Sequence, residues 1–191
     1  MIQQTRDKLR LVFNRSSLPV RAYTDSYTPA AVLVPIFERS GQDHLLLIKR
    51  TDSMHRHAGQ IAFPGGVKED CDATLLDTAL REGYEEVGLK PEDVDVLGEM
   101  DAALTGQDFR IFPFVCTIPH PYQYRLCEAE VACLLEVPVK SLMDPSIVRT
   151  EMRERNGQPV KVYYYDYNGY SIWGATARIV RQLLQIGYDC Q

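Results

Sequence analysis

The sequence contains no long apolar run, and this absence excludes a membrane-spanning helix, which needs about 20 consecutive apolar residues. Its first residues, MIQQTRDKLR, also lack the charged-then-apolar order of a signal peptide. Internal repeats and low-complexity tracts are missing as well. We therefore expect a cytoplasmic protein that does not associate with membranes.

An excess of basic residues is also missing. The chain has 21 Lys and Arg residues against 26 Asp and Glu residues, giving a net charge of −5. Proteins that bind duplex nucleic acid usually carry a basic patch, so this balance argues against a nucleic-acid partner. The five cysteines form no CxxC pair, and their odd number fits reduced thiols better than a disulfide framework.

With 191 residues, 45% of them apolar and 25% charged, the chain has the size and composition of one globular domain. We predict a single domain over residues 1–191, in which residues 1–29 form an N-terminal helix (2–13) and a linker. Two apolar segments then flank a polar turn. This pattern predicts a β-hairpin with strands at Ala30–Phe37 and His44–Arg50.

Beyond residue 90, apolar segments predict further strands. They lie at Val94–Gly98, Ile111–Ile118, Ile147–Glu154 and Val160–Tyr167. Two Asn-Gly pairs, at 156–157 and 168–169, are typical of hairpin turns. Pro113 favours a sheet edge or a bulge, because proline cannot donate to a strand ladder. Residues 171–186 carry apolar side chains at helical spacing and predict a closing helix.

The stretch Phe63–Leu89 reads FPGGVKEDCDATLLDTALREGYEEVGL. In it, Glu82, Glu85 and Glu86 have the spacing that places side chains on one patch of a helix. Clustered carboxylates resist ionisation unless a cation occupies their site. Hard divalent ions prefer oxygen ligands, and Mg²⁺ is typically shared between carboxylates and substrate phosphates. The pattern therefore predicts Mg²⁺ or Mn²⁺ and a phosphorylated small-molecule substrate.

The other face of this predicted helix is apolar. It carries Leu76, Ala79, Leu80, Gly83 and Val87. These residues would face the core, so the acids are expected to point outward into a cleft. Asp72 or Thr74 is expected to cap the helix. The alternative is an ordinary solvated helix face, but the fixed spacing from FPGG favours the functional interpretation.

The same stretch, residues 66–89, resembles the Nudix box, the signature of hydrolases that cut a nucleoside diphosphate linked to another group. Its matching residues are Gly66, Arg81, Glu82, Glu85, Glu86, Gly88 and Leu89. The sequence departs from the pattern in three ways: Asp72 stands where Glu is usual, eight residues rather than seven separate it from Arg81, and Gly83 replaces a larger apolar residue. The Asp and the extra residue look like the variant box of the coenzyme A pyrophosphatase branch.

A second motif of that branch precedes the box. The chain supplies Leu46, Leu47, Arg50, Gly59, Phe63, Pro64, Gly65 and Gly66 in register. It departs at Ile48, Thr51 and His55, the last replacing an Arg although Arg56 is adjacent. Residues 173–177, including Trp173 and Gly174, are similar to the ending of the same branch. The resemblance, from Ala30 to Ile186, implies an α/β/α sandwich with a mixed central sheet.

The resemblance also implies metal-dependent hydrolysis of a nucleoside diphosphate derivative, most of all coenzyme A or its derivatives, to phosphopantetheine and 3′,5′-ADP. The implied metal ligands are Glu82, Glu85 and Glu86, with the carbonyl of Gly66. Either Glu85 or Glu130 would be the general base, with an outer metal ligand as the other role open to Glu130, and Arg81 would orient the acids through an ion pair.

Three further residues are candidates for substrate binding. Arg50 and Arg56 are cations near the proposed diphosphate site, and a guanidinium suits phosphate because it donates two parallel hydrogen bonds. Gly65 would let the backbone approach the phosphates closely. The alternatives are plain surface charge for Arg56 and a solubilising strand-end charge for Glu130.

Other functions stay open at this point. Within enzymes, the alternative substrates are a nucleotide sugar, a dinucleotide or an oxidised nucleotide. Outside enzymes, the alternative is a non-catalytic nucleotide-sensing module, although the intact acids argue against it. A homodimer is a further expectation. Tyr122 and Tyr124 in a Pro- and Tyr-rich connector are candidates for contacting a nucleobase or for plain packing.

Overall fold

The computed structural model describes residues 2–13, 27–53, 57–105, 109–155 and 157–188. The helices are α1 (Ile2–Phe13), α2 (Leu75–Val87), α3 (Val139–Leu142) and α4 (Gly174–Gly187). The first strands are β1 (Thr28–Arg39), β2 (Gln42–Arg50), β3 (Ile61–Ala62), β4 (Gly65–Val67), β5 (Asp95–Glu99) and β6 (Ala103–Leu104). The later ones are β7 (Phe109–Thr117), β8 (Val131–Pro138), β9 (Val148–Arg155), β10 (Gln158–Tyr167) and β11 (Tyr170–Trp173).

The central sheet has eight strands, five of which lie in the order β3-β2-β1-β7-β5. The three others pair at its margins: β4 with β1, β6 with β7 and β8 with β2. Strands β1 and β7 run parallel, whereas the other pairs are antiparallel. The sheet is therefore mixed, and the predicted hairpin of β1 and β2 is confirmed.

Helices cover both faces of the central sheet. Alternate residues of β1 point to opposite sides, as a pleated strand requires. Val32, Val34 and Ile36 share a core with α1 and α4, while Leu33 and Phe37 share the other core with α2. This arrangement confirms the α/β/α sandwich. The helix predicted at residues 2–13 is likewise present as α1.

A second, antiparallel sheet of three strands, β11-β10-β9, lies beside α4. Asn168 and Gly169 join β10 to β11 with φ angles of 48° and 80°. Two consecutive positive φ angles are typical of the predicted hairpin turn. The helix predicted from residue 171 is wrong at its start, because Tyr170–Trp173 pairs with β10 and α4 begins only at Gly174.

Of the two positions predicted for Pro113, a sheet edge or a bulge, the edge is wrong. An irregularity of the bulge type does lie nearby, where the pairing of β5 with β7 shifts between Val96 and Gly98. The strand of Pro113, β7, lies inside the sheet between β1 and β5. The carbonyl of Pro113 accepts a hydrogen bond from the Met100 backbone N–H at 2.9 Å. Met100 lies between β5 and β6, so the proline's missing N–H faces a break in the neighbouring ladder. A central strand tolerates proline here because its partner strand is interrupted.

No helix in the described ranges has the length and apolar character that crossing a membrane requires.

Candidate active site

The FPGG turn fixes the loop that leads into α2. The Pro64 carbonyl accepts from the Leu33 N–H at 2.9 Å, which fastens the turn to β1. Gly65 has a φ of 153°, and a Cβ there would lie 2.3 Å from the Ala31 carbonyl oxygen. A side chain at position 65 would therefore collide with the central strand, so the close approach requires glycine.

The start of α2 is closed by a reciprocal cap. The Thr74 hydroxyl accepts from the Asp77 N–H at 3.1 Å, and the Asp77 carboxylate accepts from the Thr74 N–H at 2.8 Å. This capping box confirms one of the two predicted caps. Asp72, the other candidate, has a different partner.

Asp72 forms a bidentate ion pair with Arg81. Its Oδ1 lies 2.9 Å from Nε, and its Oδ2 lies 3.0 Å from Nη2. The same carboxylate accepts from the Thr78 hydroxyl at 2.9 Å and from the Glu69 N–H at 2.9 Å. Hydrogen bonds from Arg81 hold the pKa of Asp72 far below its usual range, so the buried carboxylate stays ionised. Asp72 thus joins the box loop to the helix.

Arg81 connects this loop to two of the box acids. Its Nη1 donates to Glu82 Oε1 at 2.9 Å and to Glu85 Oε2 at 3.0 Å. Because Asp72 already fixes the plane of the guanidinium, both carboxylates approach a cation that has little freedom to turn. The side chain of Arg81 is 19% exposed, so these contacts are only partly open to water.

Glu86 lies deeper than the other acids. The expectation that all three point outward is wrong for this residue, since its side chain is 2% exposed, against 16% for Glu82 and 57% for Glu85. Its Oε2 accepts from the Gly65 N–H at 2.9 Å, and its Oε1 lies 3.4 Å from Arg50 Nη1. Burial raises the pKa of Glu86 to about 8, even though both contacts favour the charged form.

Gly66 lies against Glu82. A Cβ at position 66 would come within 2.5 Å of the Glu82 Cδ and Oε1 atoms. The bare backbone therefore lets the carboxylate sit directly beside the glycine peptide. Burial also raises the pKa of Glu82, and the charges of Glu85 and Glu130 add to this effect.

The structure brings Glu130 to the same region. It lies in the turn before β8, where its carbonyl accepts from the Thr51 N–H at 2.9 Å. Its negative charge helps to raise the pKa of both Glu82 and Glu86. Arg50, on β2, is the cation that contacts Glu86. Its Nε atom is buried and has no hydrogen-bond partner in the described part of the chain. Arg56 lies outside the described residues.

The end of α2 is supported by the connector, a role that the sequence pattern did not reveal. Gly88 ends the helix with a φ of 72°. The Arg125 N–H donates to the Val87 carbonyl at 3.0 Å, and the Cys127 N–H donates to the Glu86 carbonyl at 2.9 Å. Carbonyls that a helix end leaves unpaired are thus used by the connector backbone.

The two connector tyrosines take part in this packing. Tyr122 accepts from the Lys90 N–H at 3.0 Å and donates to Asp93 at 2.8 Å. Its ring centroid lies 5.1 Å from that of Tyr124. These contacts fit the packing interpretation better than contact with a nucleobase.

The donors around Glu86 have the chemistry of a site for a hard divalent ion. They are carboxylate oxygens with a backbone carbonyl close by, and two of the carboxylates resist ionisation where they stand. A bound cation would relieve that cost. Across the described ranges, no three His, Cys, Asp or Glu side chains already form a metal cage. These oxygen donors therefore suit a divalent ion. In the structure, contacts with Arg81 and Gly65 hold the acids in their present positions.

Sequence comparison identifies relatives of the whole chain. A family model described as the NUDIX domain matches residues 27–150. An uncharacterized Nudix hydrolase, NudL, from Cronobacter sakazakii is 41% identical over 180 residues, which cover 94% of this chain and 90% of that protein. Its counterpart from Escherichia coli strain SMS-3-5 is 37% identical, with the same coverage of both chains.

Solved structures share the fold. A MutT/nudix family protein from Enterococcus faecalis has a TM-score of 0.54 at 16% identity, covering 91% of this chain and 66% of that one. An Ap4A hydrolase from C. elegans, in a binary complex, has a TM-score of 0.51 at 18% identity, covering 61% and 83%. Identities this low concern the fold alone. The family match and the NudL relatives carry the conclusion that the chain belongs to the Nudix hydrolase family, whose members are pyrophosphohydrolases acting on nucleoside diphosphate derivatives.

Proposed function

We propose that the protein hydrolyses coenzyme A or its derivatives to phosphopantetheine and 3′,5′-ADP. In this reaction water adds to one phosphorus of the diphosphate, and the bridging oxygen leaves with the other phosphate. The observation that carries the proposal is the bidentate pair between the buried Asp72 and the partly exposed Arg81. This pair explains both departures of the variant box. The aspartate and its spacing of eight residues from Arg81 together allow the ion pair to form.

The stretch before the box supports the same assignment. Gly59 has a φ of 68°, and a Cβ there would lie 2.6 Å from the Asp52 carboxylate, so glycine suits this position. The Thr176 hydroxyl at the start of α4 donates to the Ile61 carbonyl at 3.1 Å. Two segments that resemble the coenzyme A branch, one before the box and one near residue 175, are therefore in direct contact.

In this proposal Glu82, Glu85 and Glu86, with the Gly66 carbonyl, hold Mg²⁺ or Mn²⁺. A divalent ion supplies Lewis-acid polarisation of the phosphate and acidifies a water. Arg81 keeps Glu82 and Glu85 in place. Arg50 binds the diphosphate through its guanidinium, and Arg56 and Gly65 are further candidates for the same task.

For the general base, we favour Glu130 over Glu85. Glu85 Oε2 already accepts a hydrogen bond from Arg81 Nη1 at 3.0 Å, so this oxygen is not free to bind a water. Glu130 lies close enough to Glu82 and Glu86 to influence both electrostatically. Separate Glu130→Gln and Glu85→Gln variants would decide between them, because only the base variant should remove the acidic limb of the pH profile, over which activity rises as the base loses its proton.

A substrate panel tests the proposed reaction. Purified protein with Mg²⁺ or Mn²⁺ would be incubated with coenzyme A, ADP-ribose, NADH and nucleoside triphosphates, and products would be separated by chromatography. We expect the highest kcat/KM for coenzyme A, with release of 3′,5′-ADP. Equal or better hydrolysis of another compound would remove the assignment and favour a nucleotide-sugar, dinucleotide or oxidised-nucleotide substrate.

The cytoplasmic location and the homodimer stay predictions. Light scattering on the purified protein would test the second of them.

A further inference from the structure

A cleft opens on the side of the central sheet opposite α2. Its volume is about 490 Å³, within the range of clefts that bind small molecules. It is bounded by β2, by the segment before β3 and by β11. The residues that matter here are Lys49, Gln60, Tyr170 and Trp173.

This cleft begins next to the candidate active site. Lys49 and Arg50 are consecutive residues of β2, yet Arg50 contacts Glu86 whereas Lys49 lines the cleft. The Gln60 carbonyl accepts from the Arg50 N–H at 2.9 Å, so the wall of the cleft is bonded to the strand that bears Arg50. A substrate whose diphosphate lies near Arg50 can therefore extend one of its halves around the sheet edge into the cleft.

The residues that line the cleft indicate which half of the substrate it binds. Among the described residues around the cleft, Lys49 alone carries a charge. It forms no ion pair within the part of the chain that the structure describes, so its ammonium is available to an anion. Tyr170 adds aromatic surface on which a nucleobase can stack, whereas the Trp173 ring is already stacked on Tyr164 and has Arg153 over it. A cation beside an aromatic ring suits a phosphorylated nucleoside better than the uncharged pantetheine arm.

We propose that this cleft binds the phosphoadenosine half of the substrate and that Lys49 contacts the phosphate on its ribose 3′ position. The inference rests on the proposed function, because coenzyme A carries that phosphate outside the diphosphate. Lys49 then determines specificity without taking part in bond cleavage. It makes the enzyme distinguish coenzyme A from dinucleotides and from coenzyme A that lacks the 3′-phosphate.

The kinetic test compares coenzyme A with 3′-dephospho-coenzyme A, which differ by one phosphate. Lys49→Met should lower kcat/KM about tenfold for coenzyme A and leave it nearly unchanged for the dephospho compound, since one charge-assisted contact is lost. Lys49→Arg should retain most of the preference. Lys140→Met, which changes an exposed lysine of α3, is the matched control and should alter neither value. Equal losses on both substrates, or no loss on either, would overturn the assignment.

A binding test separates this proposal from the proposed reaction. Calorimetry would measure 3′,5′-ADP and 5′-AMP binding to the wild type and to Lys49→Met, with thermal unfolding to check that the variant is folded. We expect tighter binding of 3′,5′-ADP by the wild type only. If coenzyme A is not hydrolysed but this difference is present, the reaction is wrong and the cleft is right. If coenzyme A is hydrolysed and 5′-AMP binds equally well, the cleft is wrong and the reaction stands.

Discussion

Two clusters of arginines and carboxylates in this protein have similar distances but different surroundings. In the box cluster, Arg81 lies 2.9 Å from the buried Asp72, and its further partners Glu82 and Glu85 are 16% and 57% exposed. In the outer cluster, on the three-stranded sheet, Arg149 lies 2.7 Å from Asp166 and also pairs with Glu151. The side chains of Arg149 and Asp166 are each 46% exposed, against 19% and 3% for Arg81 and Asp72.

Ion-pair distance alone therefore does not mark a functional site. Exposed pairs contribute little, because water and salt screen them and both side chains can turn away. The box cluster differs because glycine backbone lies against it and desolvation makes each lost partner costly. Arg81 therefore positions carboxylates, whereas Arg149 lies on an exposed surface.

The largest effect should come from Glu86→Gln. We expect kcat to fall roughly 10³-fold, because the change removes a proposed ligand of the divalent ion that would stabilise the phosphate charge. Glu151→Gln in the outer cluster is the control and should leave kcat unchanged. Product release from coenzyme A measures both. Equal kcat values for the wild type and Glu86→Gln would show that the buried carboxylate has no catalytic task.

Glu86→Gln, which lowers kcat, should become more stable relative to the wild type as the pH rises. The pKa of Glu86 rises from an ordinary 4.5 to about 8 on folding, so its charge opposes folding increasingly as the pH rises from 4.5 to 8. In metal-free buffer, the free energy of unfolding of the wild type should therefore fall over this range relative to Glu86→Gln. Urea titrations at pH 5 and pH 8 check the difference, and a constant difference would contradict the burial argument.

Next in size is the contrast between Asp72→Asn and Asp166→Asn. The first leaves the guanidinium of Arg81 without its buried counter-charge and should cost about 3 kcal/mol in the free energy of unfolding. The second should cause no measurable change, because its pair is open to water. Urea unfolding at one pH measures both. Similar losses in the two variants would remove the distinction between the clusters.

A smaller effect on activity is expected from Gly66→Ala. The new Cβ would lie 2.5 Å from the Glu82 carboxylate, so the carboxylate must shift by nearly 1 Å. A displacement of that size should lower kcat about 10²-fold. Gly157→Ala, at the hairpin of β9 and β10, is the control: it meets nothing within 4 Å, so it should strain a turn with a φ of 75° without changing kcat. Unchanged kcat in Gly66→Ala would break the link between the glycine and the acid.

The smallest effect is expected from Thr74→Ala, which removes the side-chain half of the capping box. The loss should be about 1 kcal/mol in the free energy of unfolding. Asp144→Ala, which uncaps a short 3₁₀ turn before the outer sheet, should cost less because that turn carries no long helix. Thermal unfolding of the two variants tests this order, and the reverse order would show that the box helix does not depend on its cap.

Local patterns in the sequence predicted local structure well. The Thr74–Asp77 cap, the helix at residues 2–13 and the Asn168-Gly169 turn depend on neighbouring residues, so sequence spacing was enough to predict them. The start of α4 was missed because Ile172 fits the apolar spacing of a helix and of a buried strand equally well.

Long-range packing could not be predicted in the same way. Buried Glu86 accepts a hydrogen bond from the Gly65 N–H, 21 residues away, and a helical spacing rule says nothing about that contact. The ion pair of Asp72 could not be predicted for a similar reason, because eight residues of loop and helix separate it from Arg81. The edge position predicted for Pro113 was wrong because the break between β5 and β6, which accommodates the proline, belongs to a different segment of the chain.

The connector that follows β7 has the composition of a dispensable loop, yet its backbone completes the end of α2. Arg125 and Cys127 donate to the last carbonyls of that helix, and a Cβ at Gly88 would lie 3.0 Å from the Arg125 nitrogen. Its length is therefore set by the helix that bears the acids. A single inserted residue would break this register, so insertions that ordinary loops accept should be rejected here.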